Sequence, residues 1–425
     1  MAEIRPFKAW RYNREVGKKI GALISPLFDV VTPERLIELY SDPINSIHLS
    51  VPNGGARHAA RTLQAWKENG TLVQEELPAI YVYYQHYADP YDGSPKCRKG
   101  FVCNIRVHDW EEKIILHHEN TIPGSVSDRL SILTETGFHA SATHGIYTDP
   151  DQLLLKFMDE ASSAPVYTNT TDGITEVIGV IHDYKIIQEF IRVLADKQII
   201  LADGHHRYEA SIQHAKQRRL SGDLTPEYHL MFLSNSADGG LTILPTHRMI
   251  SGIENFKEEQ FLKDLENDFV VETLTVSGED FPLLQESESF IVVLKDSFLK
   301  VRLRQGKAIS NPWPFSSDIL KLDLTILHYF ILEKIFRIPG SEQRRSGKIS
   351  FERDARMVQE AVRSGKIQTG ILTRPVTIEE ILNVCASGFT LPQKSTWFYP
   401  KLNTGYFFSS ILPGESRLPD FVQFQ

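Results

Sequence analysis

The stretch Gln198-Ile199-Ile200-Leu201-Ala202-Asp203-Gly204-His205-His206-Arg207-Tyr208 passes from an apolar run through a polar turn into a helical pattern. Ile199 to Ala202 read as a short buried strand, since a run apolar on both faces suits a strand covered on both sides. Downstream, Tyr208, Ile212 and Ala215 recur on one helical face, and Arg207, Ser211, His214 and Arg218 fall on another. Strand, tight turn, helix is a building unit of layered α/β folds. The turn exposes backbone N–H groups at a helix start, where the macrodipole is positive. Gly204 leaves room for close backbone approach, and Arg207 adds a planar donor fork suited to phosphate. His205 and His206 can donate hydrogen bonds or carry protons. Asp203, Gly204, His205, His206 and Arg207 therefore read as an oxyanion or phosphate cradle. The plainer reading also stands: Asp203 as an N-cap and two histidines in structural roles.

Working outward, the chain divides into three expected regions. Residues 1–105 form an N-terminal α/β region. Thr32-Pro33-Glu34 has an N-cap followed by Pro at the first helical position. Asn45 to Val51 alternates as a strand, Arg57 to Asn69 reads as a charged helix, and Ala79 to Gln85 as a tyrosine-rich strand. Asp89 to Lys99 is a turn-rich hairpin tip. Residues 106–250 form the core that carries the central motif. Here Ile114 to Leu116 lead into His117-His118-Glu119, Asp128-Arg129-Leu130 opens a helix, Tyr184 to Ala195 is another helix, and Tyr228 to Leu233 and Leu241 to Leu244 are strands. Residues 251–425 form a C-terminal α/β region. Its features are a hairpin from Ser289–Leu294 and Leu299–Leu303, an amphipathic helix through Leu322, Ile326, Phe330 and Ile335, a helix from Thr377 to Cys385, and a polar loop Pro392-Gln393-Lys394-Ser395-Thr396. The fold class expected is mixed α/β (α+β), multi-domain.

Composition narrows the function classes. A formal net charge of -8 over 425 residues does not favour binding to a phosphate backbone, so nucleic acid is not an expected partner. Three cysteines, Cys97, Cys103 and Cys385, fit neither a disulfide framework nor paired zinc ligands. The N-terminus lacks an apolar signal region, and the longest apolar runs are strand-length, so a cytoplasmic protein without a membrane span is expected. Adjacent histidines on a strand point to opposite faces, so His117-His118 and His205-His206 do not make a zinc site. No protein-held metal is expected.

Further constellations carry chemistry. His117-His118-Glu119 follows a strand. Glu119 suits a general base and His118 a phosphate contact, or the segment is a solvated strand end. Asp128 reads as an N-cap, with Arg129 beside it for a substrate carboxylate or a neighbouring acid. His247-Arg248 ends a strand where α/β sites often lie, though a surface salt bridge fits equally. Lys394, Ser395, Thr396 and Lys401 offer ammonium and hydroxyl groups without the glycines of a Walker A loop, so an ordinary turn is the alternative.

Asp203-Gly204-His205-His206-Arg207-Tyr208-Glu209-Ala210 resembles the signature of the domain of unknown function 1015 family. So, in order, do Arg5-Pro6-Phe7, Ser25-Pro26 with Phe28-Asp29-Val30, His118-Glu119 with Thr121, Asp128-Arg129-Leu130, Leu244-Pro245-Thr246-His247-Arg248, and Pro392-Gln393-Lys394-Ser395-Thr396 with Pro400-Lys401. The chain departs at Leu27-Phe28, where the family usually has Pro-Tyr, and at His117, where Pro is common. The central motif is similar to the ParB/sulfiredoxin superfamily, in which a Gly-x-x-Arg helix start binds nucleotide phosphates. His205 stands where sulfiredoxin has its catalytic cysteine, so sulfinic acid reduction is not implied. ParB proteins bind CTP, and free-serine kinases of the superfamily use a similar loop. Members are also encoded near serine-biosynthesis genes.

The resemblance implies a nucleotide-binding phosphotransferase acting on a small hydroxylated metabolite, with free serine the first candidate. ATP or ADP would serve, CTP being the variant, with magnesium delivered by the nucleotide. Asp203, Gly204, His205, His206, Arg207, His247, Arg248, Lys394, Ser395 and Thr396 would hold nucleotide or phosphate. Glu119, His118, His205 and His206 would act catalytically, and Arg129 and Lys401 would bind substrate. A phosphoserine-like monoester hydrolase and a non-enzymatic, ParB-like nucleotide-controlled switch are the competing expectations. Nothing in the sequence sets the oligomeric state.

Overall fold

The computed structural model describes residues 1–225, 227–274, 284, 286–309, 317–343, 345–391 and 395–418. The expected Lys394 lies outside the described residues. The chain forms two compact units: residues 1–117, 121–242 and 400–425 in one, and residues 118–120 and 243–399 in the other. The boundary expected near residue 105 falls inside the larger unit, and residues 400–418 return to it after the smaller one.

The larger unit is built on a nine-stranded sheet. Its strands are β1 (Ile4–Arg5), β2 (Ile80–Ala88), β3 (Pro95–Arg106), β4 (Ile115–His117), β5 (Thr143–Tyr147), β6 (Tyr167–Thr171), β7 (Ile174–Ile181), β8 (Ile199–Asp203) and β9 (Tyr228–Asn235). They lie in the order β6-β7-β2-β3-β9-β5-β8-β4, with β1 paired to β3. The pairs β8–β4 and β9–β5 are parallel. Strand β2 shows why the tyrosine-rich run is apolar throughout. Ile80, Val82 and Tyr84 enter one core with Phe190 and Tyr208, while Tyr81 and Tyr83 enter another with Trp66 and Phe407. Successive side chains alternate faces, and both faces are covered.

The helices of this unit include α1 (Pro33–Tyr40), α2 (Ala56–Glu68), α3 (Pro123–Thr136), α4 (Tyr184–Leu194) and α5 (His205–Leu220). Thr32 accepts from Arg35 N at 3.3 Å, with Pro33 in the first turn, as the capping pattern requires. Two expectations change. Residues 45–51 hold a short helix, Ile47–Ser50, instead of a strand. Asn45 Oδ1 accepts from Ile47 N at 2.9 Å, so a local side-chain bond turns the backbone there. Helix α3 starts at Pro123, so Asp128 is an interior residue and not its N-cap. Proline is well placed there, because the first helical N–H has no partner to lose.

The smaller unit is built on a six-stranded antiparallel sheet. Its strands are β10 (His247–Ile250), β11 (Phe269–Leu274), β12 (Ser289–Val293), β13 (Phe298–Leu303), β14 (Ile349–Glu352) and β15 (Thr369–Leu372), in the order β11-β13-β12-β15-β10-β14. Helices α6 (Glu258–Asp268), α7 (Ala355–Arg363) and α8 (Ile378–Ser387) belong to it. The amphipathic helix expected from Leu322 onward begins as one α-turn, Asp323–Ile326, then widens into a π-helix, Leu327–Ile335. Its end shows the five-residue step, Phe336 N donating to Ile331 O at 3.0 Å. Leu327, His328, Phe330, Ile331 and Leu332 are all buried along it.

Candidate functional site

The turn after β8 places the central motif. Gly204 is the N-cap of α5 and has φ 92°, a left-handed conformation that glycine adopts without strain. A Cβ there would lie 2.6 Å from Thr143 Cγ2 and 2.8 Å from Arg207 Nη2. Local packing thus demands glycine whether or not a ligand approaches. Asp203 does not cap the helix. Its Oδ2 accepts from Arg207 Nη2 at 2.8 Å, and its Oδ1 accepts from Lys401 Nζ. Burial alone would push this carboxyl up, but the Lys401 and Arg207 cations overcome that and hold it well below the usual carboxylate range. Asp203 is therefore an anion fixed between two cations. His205 is buried as the first residue of α5, and His206 is half-buried beside it.

Lys401 is held by a buried polar network. Arg98 donates to Gln85 Oε1 and to the Pro400 carbonyl, and Gln85 Nε2 donates to the Lys401 carbonyl at 3.0 Å. Glu176 accepts from Tyr83, from Gln85 at 3.1 Å, from Asn403 at 2.9 Å and from Tyr406 at 2.6 Å. Burial pulls the Arg98 guanidinium down to about 10. These bonds lock residues 400–406 onto β2 and β7, and so carry the Lys401 ammonium to Asp203. Burial likewise keeps His144 and His229 neutral behind the turn. His144 Nε2 pairs with Ser234 Oγ at 2.7 Å, and His229 bridges Ser211 Oγ at 2.8 Å and Thr143 Oγ1 at 3.0 Å.

Arg129 and Arg207 line one cleft of this unit, together with Ser50, His139 and Ser141. Arg129 Nη1 donates to Ser50 O at 2.6 Å, and its fork also engages Asp128. Its guanidinium lies over the Phe28 ring, 4.4 Å from the centroid. The segment that carries Phe28 is tethered in turn, with Ser25 and Pro26 pairing with Thr404 and Asn403.

In the smaller unit the remaining motif residues bind one another. Glu119 Oε1 accepts from Ser395 N at 3.0 Å and from Thr396 N at 3.3 Å, and His118 Nε2 pairs with Thr396 Oγ1 at 2.8 Å. His247 is buried, and its Nδ1 accepts from Thr373 N at 3.2 Å; burial and the adjacent Arg248 push its pKa down to about 4, so the ring is neutral. Arg248 is fully buried, donating to Thr246 O and lying 3.5 Å from His328 Nε2. His247 and Arg248 thus have interior partners, and the surface salt bridge expected as the alternative to a phosphate contact is not formed among the described residues. Among the described residues no group of three or more His, Cys, Asp or Glu side chains is placed to hold a metal. No helix of the described residues is long and apolar enough to cross a membrane.

A family model described as protein of unknown function (DUF1015) matches residues 4–325, most of the chain. The chain belongs to the DUF1015 family. No curated protein matches it. Among solved structures it is similar to a free serine kinase in complex with AMP, at 11% identity over 74% of this chain and 93% of that one, with a TM-score of 0.38. It is similar also to a conserved hypothetical protein from Pyrococcus furiosus, at 12% identity over 72% and 95%, TM-score 0.34. SbnI with a C-terminal truncation from Staphylococcus aureus matches at 13% identity over 71% and 85%, TM-score 0.33.

Four motifs of this DUF1015 member meet in the larger unit: Ser25 to Asp29, Asp128-Arg129, Asp203 to Arg207, and Pro400-Lys401. The sequence did not single out Arg98, Gln85 or Glu176. Gln85 and Glu176 had one signal, a polar residue at the end of or within a largely apolar run, which asks for a buried partner; Arg98, in Lys96-Cys97-Arg98-Lys99, had none.

Proposed function

We propose that this DUF1015 member is a nucleotide-dependent phosphotransferase acting on a small hydroxylated metabolite, with serine as the first acceptor to test. The observation that supports it is the Arg207–Asp203–Lys401 charge cluster at the start of α5. Two cations share one carboxylate, so the turn carries excess positive charge beside a helix N-terminus. In this reading the turn corresponds to the Gly-x-x-Arg phosphate turn of ParB/sulfiredoxin proteins. The first N–H groups of α5, with His205 and Arg207, hold the transferred phosphate, and His206 takes the acceptor proton. The acceptor oxygen attacks phosphorus, the bond to the leaving phosphate breaks, and the nucleotide leaves with one phosphate fewer. Magnesium arrives on the nucleotide phosphates and neutralises their charge, which needs few protein ligands.

The test is calorimetric titration of ATP, ADP and CTP with magnesium into the wild type and Arg207→Lys, followed by phosphate transfer to serine. The expected result is adenine-nucleotide binding weakened at least tenfold in Arg207→Lys, since a lysine cannot reproduce the fork. Nucleotide-independent release of phosphate from phosphoserine would replace this reading with the hydrolase. Binding without turnover of any hydroxylated acceptor would replace it with the switch.

A further inference from the structure

The cleft lined by Arg129 and Arg207 has chemistry that the charge cluster does not use. Arg207 donates to Ser141 Oγ at 3.2 Å, to Ala142 O at 2.6 Å and to Asp203. Arg129 donates to Ser50 O and Asp128. Each guanidinium has five N–H donors, so both forks have donors left over. Two buried polar atoms on residues lining the cleft, Arg207 Nε and Ser50 Oγ, have no hydrogen-bond partner among the described residues. Orphaned buried groups cost roughly 1–3 kcal/mol each, which marks a place for a ligand or an ordered water.

Charge and size select the ligand. The two like-charged guanidinium groups repel each other, and burial adds to the cost. An anion between them relieves both. Leu49, Ile132, Leu133 and Phe138 form the apolar part of the wall, which strengthens any ion pair formed there. The cavity proper is about 40 Å³, room for a few atoms such as a carboxylate, and it opens to solvent. Arg129 also pairs with the Asp128 carboxylate, whose side chain is 60% exposed, and the exposed Asp29 directly follows Phe28, the ring against its guanidinium. Inner cations with outer carboxylates match a zwitterion and disfavour a dianionic phosphate.

We propose that this cleft is an amino-acid subsite: Arg129, Arg207 and Ser50 take the α-carboxylate of a small amino acid, and Asp29 takes its ammonium group. The choice of serine as first probe rests on the phosphotransferase reading; the charge pattern does not. The full-length chain is titrated calorimetrically with L-serine, L-serine methyl ester, inorganic phosphate and, separately, ADP with magnesium. Variants are Arg129→Lys, Ser50→Ala and Asp29→Asn, each checked for an unchanged unfolding midpoint. L-serine is expected to bind, with the ester and Asp29→Asn each at least tenfold weaker and Ser50→Ala several-fold weaker. In Arg129→Lys, serine binding weakens at least tenfold while ADP affinity stays the same. Should the ester bind as well as serine, or phosphate bind instead of it, the subsite is wrong. ADP binding with no serine binding removes the subsite and leaves the phosphotransferase reading intact. Serine binding without any nucleotide binding does the reverse. Ser50→Ala covers the case in which Arg129→Lys does not fold.

Discussion

The two units treat their charged motif residues in opposite ways. In the larger one, Asp203 is shared by Arg207 and Lys401, and Arg129 and Arg207 line a cleft with donors left over. In the smaller one, Arg248 is fully buried and donates to a backbone carbonyl, His247 is a neutral acceptor, and Glu119 braces the chain at Ser395 and Thr396. Conspicuous polar motifs in one sequence thus serve two ends. One set gathers charge beside a cleft, and the other engages its polar groups internally. Counting charged residues in a motif does not separate these cases; their partners do.

The largest effect is expected from Asp203→Asn, which leaves two nearby cations without their carboxylate. Breaking a buried ion pair costs about 3–5 kcal/mol, and chemical denaturation should show a loss of that order. A loss below about 1 kcal/mol would mean that the cluster is solvated and the contrast between the units is overstated. Gly204→Ala comes next. The left-handed φ costs about 1–2 kcal/mol, and the contact with Thr143 adds about 1–3 kcal/mol. Gly204→Ala paired with Thr143→Ser should recover the steric part only.

Glu119→Gln probes the smaller unit. The loss of charge from bonds to Ser395 and Thr396 should cost roughly 1–2 kcal/mol. Hydrogen exchange should quicken at the amides of Ser395 and Thr396. If Glu119→Gln instead abolishes phosphate transfer with no change in stability or exchange, its role is catalytic and not bracing.

The smallest effect per residue concerns acid. His139 and His247 are each pushed to about 4 by burial, from an ordinary value of 6.5. The unfolded chain binds their protons first as pH falls, so the folded state loses stability from about pH 6.5 down to about pH 4 and no further from these groups. Near pH 6 each contributes about 1 kcal/mol. His139→Gln and His247→Gln should each flatten the acid limb of stability against pH. Equal slopes in wild type and variants would show these rings to be protonated in the fold.

The central strand–turn–helix was legible because its signals are local. Ile199–Asp203 is a strand, Gly204 the turn and His205–Leu220 the helix, as the apolar run and helical spacing required. The tyrosine-rich hairpin and the Thr32-Pro33 helix start were legible for the same reason. Residues 45–51 misled because an alternating pattern also fits a short turn of helix once Asn45 bonds the backbone. Asp128 misled because Pro123 had already started α3.

By itself the sequence determined the elements and the family, since periodicity, capping and ordered motifs act over a few residues. Tertiary structure alone decided that Lys401 reaches Asp203, that Arg129 and Arg207 line one cleft, and that Arg248 is buried. Those outcomes depend on which distant side chains share a low-dielectric interior. There, a charge takes its meaning from the partner that chain folding brings to it.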